Sequence, residues 1–432
     1  MSVTVERKSG GSVYQKTILK NGMRVVTERL PAARSVSLGV WIDLGSRKEK
    51  PEENGFSHLI EHLLFKGTKR RTARQVADSL ESLGGFLNGF TSREQTCFYA
   101  RVLDEYLTEA VDLLADMTCF STLSSRNVNR EKTVVCEEIK ESLDTPTDHI
   151  HDIFSRTYWG DHPLGQTIMG PQENILGATR SKLRGFMQRH YRAGSVVLSA
   201  CGSVSHAKLV KLARAMFEFP EGKAEPALPA DRKKPREIVV TQVDNNQTHL
   251  CLGFPGVSYT APDKYTALAL NTYLGGGMSS ILFQRIREQK GLAYNIYSFV
   301  DAYHDDGLFG AYVGTDAKKV RQAYDLILNE FRRLTNRALT TSQVERIKAQ
   351  LKGSLILAYE STTNRMNRLA RQELMNEGYH TLRQTILRIE RVSPSDILEL
   401  ANRLFDENKL AVAVLGPVDN DLFADGSRTS RK

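Results

Sequence analysis

The feature that most constrains the fold is a pattern that occurs twice along the chain. Residues 84–90, a Gly-Gly pair followed by a β-prone run, resemble residues 291–297 in shape. The amphipathic helix predicted at residues 103–117 has a parallel at residues 317–333. Recurrence of several such signals in the same order indicates an internal duplication.

The duplication predicts two homologous halves. We expect an N-terminal domain at residues 1–215, a linker at 216–235 that contains four prolines, and a C-terminal domain at 236–432. Each half alternates strand and helix signals in an order that is typical of an α+β fold. We therefore expect two α/β-sandwich halves, each with a mixed, largely antiparallel sheet and helices on one face.

Local patterns predict several elements. An Asn-Gly pair at residues 21–22 lies between two β-prone runs and predicts a hairpin, and residues 35–42 predict a further strand. A helix is expected at residues 280–290. By contrast, residues 1–12 are predicted to be disordered, and residues 149–170 to be aromatic and rich in loops.

Composition narrows the class of protein. With 41% apolar and 25% charged residues, the chain is typical of a soluble globular protein. We expect no membrane span, because no apolar run approaches the roughly 20 residues that a bilayer requires. The beginning of the sequence has neither a signal peptide nor a clear mitochondrial presequence, which favours a cytoplasmic location.

The cysteines and the distribution of charge bear on the compartment and on possible partners. The five scattered cysteines are expected to be free thiols in a reducing compartment. The net charge of +9 is carried largely by short basic runs without interleaved aromatic residues. Such runs are better explained as solvated linkers and tails, so we expect no nucleic-acid partner.

The most specific chemical signal is the motif His58-Leu-Ile-Glu61-His62, an H-x-x-E-H sequence. The flanking residues favour a helix, and at 100° per residue His58, Glu61 and His62 share one face while aliphatic residues cover the rest. Imidazoles four positions apart can reach one Zn²⁺, with Glu61 placed beside the metal as a base. The alternative is two surface or buried structural histidines on an ordinary amphipathic helix.

A third ligand is expected on the helix predicted at residues 128–143. A helical wheel places Glu131 and Glu138 on its apolar side together with Val134 and Val135, and Glu137 on its wet side. A carboxylate on an apolar face requires a metal, a cation or a protonated histidine nearby. A buried salt bridge to an arginine is the alternative for both glutamates.

Taken together, the motif and Glu138 resemble the pitrilysin/insulinase family of zinc peptidases. Chain length and the two-half plan are similar to the bacterial processing-peptidase-like branch, which is related to the β-subunit of mitochondrial processing peptidase. Further stretches that carry the resemblance are Leu83-Gly84-Gly85, Thr91-Ser92-Arg93-Glu94, Glu131-Lys132-Thr133-Val134-Val135, His162-Pro163-Leu164-Gly165 and Gly275-Gly276-Gly277.

The resemblance implies a zinc metalloendopeptidase with one Zn²⁺ per chain. His58, His62 and Glu138 would bind the metal. Glu61 would be the catalytic base. Glu131 would assist catalysis from outside the ligand set by holding a ligand histidine.

The resemblance also implies how substrate is held. Arg287 and Tyr294 of the second half would contact the peptide, and Asn88 would lie on an edge strand that pairs with the peptide backbone. The two halves would form a clamshell chamber for peptides or unfolded segments. A homodimer and a bacterial-type cytoplasmic location are expected.

Two further points concern the second half and the departures from the family pattern, which fall at Gly89, at Cys136 in place of an aliphatic residue, and at Ile281 in place of an arginine. In the second half, Ala267, Leu270 and Asn271 stand where the first half has the motif, so only the first half is expected to bind metal. Gly89 stands where alanine is common in the family. Two other functions stay open: a non-catalytic partner subunit, and a peptide-binding protein whose zinc is purely structural.

Overall fold

The structure is a computed structural model that describes residues 4–9, 11–231, 237–241, 246–419 and 422–423. Elements are numbered in chain order. The strands before the linker are β1 (Thr4–Ser9), β2 (Ser12–Ile18), β3 (Arg24–Arg29), β4 (Ser35–Ile42), β5 (Phe86–Thr91), β6 (Thr96–Leu103) and β7 (Val196–Gly202). The helices there are α1 (Phe56–Leu64), α2 (Ala73–Glu81), α3 (Leu107–Phe120), α4 (Ser125–Leu143), α5 (Pro146–Trp159), α6 (Gln172–Gly177), α7 (Arg180–His190) and α8 (His206–Met216).

The remaining elements follow the same plan. The strands are β8 (Glu237–Thr241), β9 (Thr248–Pro255), β10 (Ala293–Ala302), β11 (Gly307–Thr315) and β12 (Ala411–Gly416). The helices are α9 (Lys264–Gly275), a π-helix (Phe283–Gln289), α10 (Val320–Asn336), α11 (Thr341–Tyr359), α12 (Thr362–Leu374), α13 (Leu382–Glu390) and α14 (Pro394–Leu404). Residues 232–235 of the predicted linker lie outside the described residues.

Two sheets of matching topology confirm the α+β prediction. The first has the order β1-β2-β3-β7-β4-β6-β5, and the second β10-β11-β9-β12-β8. Strands β3 and β7 pair in parallel in the first sheet, and β8 and β12 do so in the second. The other described pairs in both sheets are antiparallel. Strand β5 lies at the edge of the first sheet, as β10 does in the second.

The chain divides into two compact units that are not continuous in sequence. The first contains Met1–Lys140, Gln166–Leu228 and Ile356–Thr381, and the second contains Glu141–Gly165, Pro229–Leu355 and Leu382–Lys432. Helix α5 therefore belongs to the second unit and α12 to the first. The boundaries 1–215 and 236–432 stay a prediction of where one copy of the repeat ends and the next begins.

This exchange of helices buries the second face of each sheet. In the first unit, Val40 of β4 packs with the helices of one face, while Trp41 points to the other face and packs against Met366 and Leu369 of α12. In the second unit, Phe154 of α5 packs across the sheet in the same way. Strands that are covered on both faces have almost continuously apolar sequences, and β4 and β7 have sequences of this kind.

The predicted hairpin and the strand predicted at residues 35–42 are both confirmed. Strands β2 and β3 pair antiparallel across the Asn-Gly turn, and β4 has the predicted bounds. In that turn Gly22 has φ +96°, a conformation that glycine adopts without strain.

Two other local predictions were wrong, in both cases because tertiary contacts outweigh local preference. Residues 4–9 form β1, which pairs with β2, whereas disorder was expected. Residues 149–170 include most of α5, whose apolar residues recur every four positions and are buried although their helix propensity is low. The helix expected at residues 280–290 is confirmed, and Phe283–Gln289 within it is wound as a π-helix, a rare form that is frequent at functional sites.

None of the helices in the described residues combines the length and the apolar character that crossing a membrane requires.

A buried carboxylate fixes the start of α1. Glu49 is 2% exposed and accepts hydrogen bonds from the backbone N–H of Gly55 (2.8 Å) and Ser57 (2.6 Å) and from the amide of Asn54 (3.0 Å). The first N–H groups of a helix have no partner within the helix, and the positive end of its dipole favours an acceptor that is negatively charged. Glu49 therefore sets both the position and the direction of α1.

We expect Glu49→Gln to destabilise the first unit by about 1–3 kcal/mol, because the amide NH₂ of glutamine would face N–H donors that now meet a carboxylate oxygen. The measurement is urea unfolding in a Trp159→Phe background, in which Trp41 alone reports on the first unit. Glu52→Gln, at an exposed position of the same loop, is the control. Equal unfolding midpoints for the two variants would contradict the anchoring role of Glu49.

Candidate metal centre

Helix α1 presents the motif as the sequence predicts. Its back is apolar and closed, with Leu59, Ile60, Leu63 and Leu64 each no more than 1% exposed. The front carries both imidazoles and the Glu61 carboxylate, which are partly accessible. The rings of His58 and His62 lie edge to face with centroids 4.7 Å apart, the spacing expected of residues one helical turn apart.

Helix α4 brings the third group to the motif. One ligand atom each from His58, His62 and Glu138 lie within 4.8 Å of one another. Oε2 of Glu138 is 3.4 Å from Nε2 of His62 and 3.9 Å from Nε2 of His58. These are the residues that sequence reasoning selected as ligands, and the structure brings all three together.

The exposure of the glutamates on α4 agrees with the prediction for Glu131, inward, and Glu137, outward, and in part for Glu138, which lies at the border of the buried face. The side chain of Glu131 is 2% exposed and that of Glu138 38%, whereas that of Glu137 is 65% exposed and pairs with Lys140. The wheel was wrong about Val134, which is 39% exposed. The buried face of α4 is therefore rotated away from Val134, and it runs through Glu131, Val135 and Ile139.

Glu131 is placed between the motif and a lysine. Its Oε2 lies 3.6 Å from Nδ1 of His62 and 3.1 Å from Nζ of Lys66. A carboxylate that is 1% exposed needs such partners, because burying an isolated charge is costly. The Nδ1 side of His62 thus faces Glu131 while its Nε2 side faces Glu138.

The donor set fits zinc. Two imidazoles and one carboxylate are ligands that Zn²⁺ takes in catalytic sites with three protein ligands. Burial lowers the pKa of His58 to about 4, with a further contribution from the neighbouring charge of His62. The His58 ring is therefore neutral at physiological pH, which is the form that binds a metal.

Glu61 lies beside this cluster and is held from the edge strand. Its Oε2 accepts a hydrogen bond of 2.6 Å from Oγ1 of Thr91 at the end of β5. Burial raises the pKa of Glu61, while the Thr91 hydrogen bond and the charge of His62 lower it. A methyl group at Gly89 would lie 3.3 Å from Cγ of Glu61 and 3.2 Å from the Phe65 ring, so glycine leaves space behind the carboxylate.

Asn88 lies on β5, the edge strand of the first sheet. Its side chain is exposed, and its Oδ1 accepts a hydrogen bond of 2.8 Å from the N–H of Gly89. Strand β5 pairs with β6 on one side only. An edge strand of this kind can accept a further strand through its main chain.

Arg287 and Tyr294 lie in the second unit and contact one another. The Arg287 guanidinium carbon is 4.7 Å from the centroid of the Tyr294 ring and 4.6 Å from that of Phe283. Arg287 is part of the π-helix, and Tyr294 is 76% exposed near the start of β10. A large aromatic side chain at that exposure is available to a ligand.

The described residues of the second half contain no equivalent of the metal cluster. In α9, Ala267 and Leu270 are buried in the core of the second unit. Within the described residues, His58, His62 and Glu138 form the one group of three or more potential ligands that is close enough to hold an ion.

Sequence reasoning missed three residues that support the site. Glu49 anchors α1, Thr91 orients Glu61, and Lys66 neutralises Glu131. Lys66 lies four positions after His62, so the helical period that selected the ligands could have pointed to it as well. The contacts of Glu49 and Thr91 depend on loop and strand geometry, and no local pattern signals them.

Family comparison agrees with this geometry. Residues 24–172 match the model of the insulinase peptidase family M16, and residues 177–351 match that of the peptidase M16 inactive domain. Together these matches extend from residue 24 to residue 351, with the motif and all three candidate ligands in the first.

Individual relatives span nearly the whole chain. The chain is 40% identical over 401 residues to YmxG of Bacillus subtilis, named an uncharacterized zinc protease, covering 93% of this chain and 98% of that protein. It is 36% identical to an uncharacterized zinc protease of Streptomyces coelicolor, covering 96% of this chain and 92% of the relative.

Solved structures match the fold. A protease from Helicobacter pylori has a TM-score of 0.87 at 23% identity, covering 94% of this chain and 99% of its own. A Pseudomonas fluorescens structure described as a peptidase M16 inactive domain has a TM-score of 0.88 at 20% identity, covering 94% and 98%. Since the sequence relatives match over almost their entire length, the chain belongs to the insulinase family of peptidases, M16.

Proposed function

We propose that this chain is a zinc-dependent endopeptidase that cleaves peptides and extended protein segments, in the manner of a processing peptidase. Membership of the M16 family makes it a metallopeptidase with Zn²⁺ as its cofactor. The observation that supports the proposed catalytic mechanism is the cluster of two imidazoles and one carboxylate on α1 and α4, with a further carboxylate, Glu61, beside it.

His58, His62 and Glu138 would hold the metal. When bound by three protein ligands, zinc lowers the pKa of a water molecule toward about 7 and polarises a carbonyl oxygen. A set of three ligands leaves a position for water or substrate, whereas structural zinc sites are closed by four. The donor set therefore favours a catalytic role for the ion over a purely structural one.

Glu61 would act as the general base. Because Thr91 engages Oε2, Oε1 is the oxygen that would take the proton of the attacking water and later pass it to the leaving amine. Burial raises the pKa of this carboxylate, which brings it closer to the range in which proton transfer in both directions is effective. Glu131 would assist by fixing the orientation of the His62 ring.

Extended substrate would pair with the free edge of β5 through main-chain hydrogen bonds, beside Asn88. Recognition by main chain tolerates many side chains, which suits a peptidase of unfolded segments. In the second unit, Arg287 and Tyr294 would bind the peptide: the guanidinium and the Tyr294 hydroxyl would donate to carbonyl oxygens, and the exposed ring would pack on side chains.

A homodimer in a reducing compartment such as the bacterial cytoplasm completes the proposal. All five cysteines are free, and four of them are buried, which is compatible with such a compartment. Sedimentation velocity at assay concentration distinguishes the dimer from a monomer, and a single species of 48.5 kDa would exclude the dimer.

The function is tested by removing the proposed base without removing the metal. We expect wild-type protein to cleave an internally quenched peptide, and a chelator to abolish cleavage until zinc is restored. Glu61→Gln keeps the size of the side chain but cannot accept the proton, so kcat is expected to fall at least about a hundredfold with zinc retained. Zinc stoichiometry and single-turnover cleavage are measured on the same sample.

The controls separate the competing functions. His58→Ala should lose zinc and activity together. Wild-type protein that binds peptide but never cleaves it, with or without zinc, would indicate a partner subunit or a peptide-binding protein. Near-normal turnover in Glu61→Gln with zinc retained would mean that another residue is the base.

The metal ligand on α4 is tested by two adjacent substitutions. We expect Glu138→Gln to lose most of its bound zinc and Glu137→Gln to keep it, because Glu138 faces the imidazoles while Glu137 is exposed and paired with Lys140. Atomic absorption on the purified, dialysed variants provides the metal content. Equal zinc in the two variants, or the reverse order, would refute the ligand assignment.

The role of the second unit is tested at Arg287 and Tyr294. Arg287→Ala and Tyr294→Phe are each expected to lower kcat/KM by about tenfold or more, as loss of a charge-assisted or hydroxyl contact implies. Zinc content and Tm should stay at wild-type values, since both side chains are at least partly exposed. Lys290→Ala, an exposed position just after the π-helix, is the control. Unchanged kinetics in both variants would remove these residues from substrate binding.

A further inference from the structure

A basic cavity lies in the first unit, next to the metal centre but outside it. It has a volume of about 530 Å³ and is lined by the loop that follows α1, the first turn of α2 and the start of α4. Six of its lining residues are cationic and none is acidic: Lys66, Lys69, Arg70, Arg71, Arg126 and Arg130. None of the groups assigned to catalysis or metal binding lines it.

Three of these cations already pair with carboxylates that do not line the cavity. Arg70 and Arg71 both pair with Asp112 and Asp116, at distances from 2.5 to 3.1 Å. Lys66 pairs with Glu131 as described above.

The other three cations have no such partner. Within the described residues, no carboxylate pairs with Lys69, Arg126 or Arg130, and Lys69 lies 5.9 Å from the centroid of the Phe120 ring. The cavity therefore carries an excess of positive charge on its wall.

The positions of the two free arginines are unfavourable for the helix that bears them. Arg126 and Arg130 are four positions apart on α4, where like charges repel. Arg126 also lies in the first turn of α4, which has no acidic residue, although the dipole at a helix N-terminus disfavours a cation. An anion in the cavity would offset the repulsion between the two arginines, since both line it.

The loop is held in shape without any ligand. Oγ1 of Thr68 accepts from the N–H groups of Arg70 (3.0 Å) and Arg71 (2.9 Å) and donates to Asp116 (2.7 Å). The side-chain amide of Asn127 donates to the Lys66 carbonyl at 2.7 Å and ties the loop to α4. The backbone of the loop therefore holds its shape independently of the cations that have no carboxylate partner, so an anion could bind without refolding of this wall.

We propose that this cavity binds an oligophosphate anion, free or as part of a nucleotide. Guanidinium groups bind phosphate oxygens in pairs of parallel hydrogen bonds, and four arginines line the cavity. Its volume lies in the range of small-molecule sites and exceeds what a single orthophosphate would fill. Two or three linked phosphates match both the charge and the size.

The test is calorimetric titration of the full zinc-loaded chain with sodium pyrophosphate at low salt. We expect saturable binding by the wild type, weakened at least about tenfold in Arg126→Ala/Arg130→Ala, because two charge-assisted contacts are lost. Arg184→Ala/Arg383→Ala removes the same charge from exposed arginines on α7 and α13 and should bind as the wild type does. Thermal melting confirms that the variants are folded, and zinc content before and after titration excludes stripping of the metal.

Further titrants identify the ligand class. Equal affinity for ADP and pyrophosphate would mean that the phosphates alone are recognised, and tighter binding of ADP would mean that the nucleoside contributes. Three results would overturn the proposal: no saturation by pyrophosphate up to about 10 mM, equal weakening in the two double variants, or tighter binding of a tetraglutamate peptide than of either phosphate.

Discussion

The candidate site depends on one buried carboxylate. Glu131 is nearly inaccessible to solvent, yet it lies between the His62 ring and the Lys66 ammonium group. A carboxylate in that position is stable only if both partners stay in place, because an unpaired charge in the interior costs several kcal/mol. The pairing therefore ties α1, which carries the motif, to α4, which carries Glu138. The close approach of the three candidate ligands follows from this tie.

The two ends of α1 are fixed by different means. At its N-terminus the Glu49 carboxylate meets two backbone N–H groups, and at its C-terminal side Lys66 and Glu131 connect it to α4. From the side, Thr91 of the edge strand orients Glu61. A helix held at both ends and along one face keeps its two imidazoles in a constant relation, which is what a metal with fixed bond lengths requires.

Much of the local structure was predictable because it is recorded in short-range periodicity. The motif helix, the hairpin at the Asn-Gly turn and the strand at residues 35–42 follow from spacing and turn chemistry alone. The ordering of Glu131, Glu137 and Glu138 on α4 also follows from a helical wheel, although the wheel misjudged Val134. Where prediction failed, as at α5, the segment has weak local preference, and burial against a distant sheet makes it helical.

The sequence by itself determined which side chains share a face, because the 3.6-residue period of a helix fixes that relation without any other part of the chain. It also determined that the chain consists of two similar halves, since the repeat is visible in the order of its elements. Only the tertiary structure decided that α1 and α4 meet, that α5 and α12 each complete the unit of the opposite half, and that six cations, Lys66 among them, line one cavity. These relations join residues far apart in sequence, and they arise because each apolar face and each buried charge must find its partner wherever the folded chain provides one.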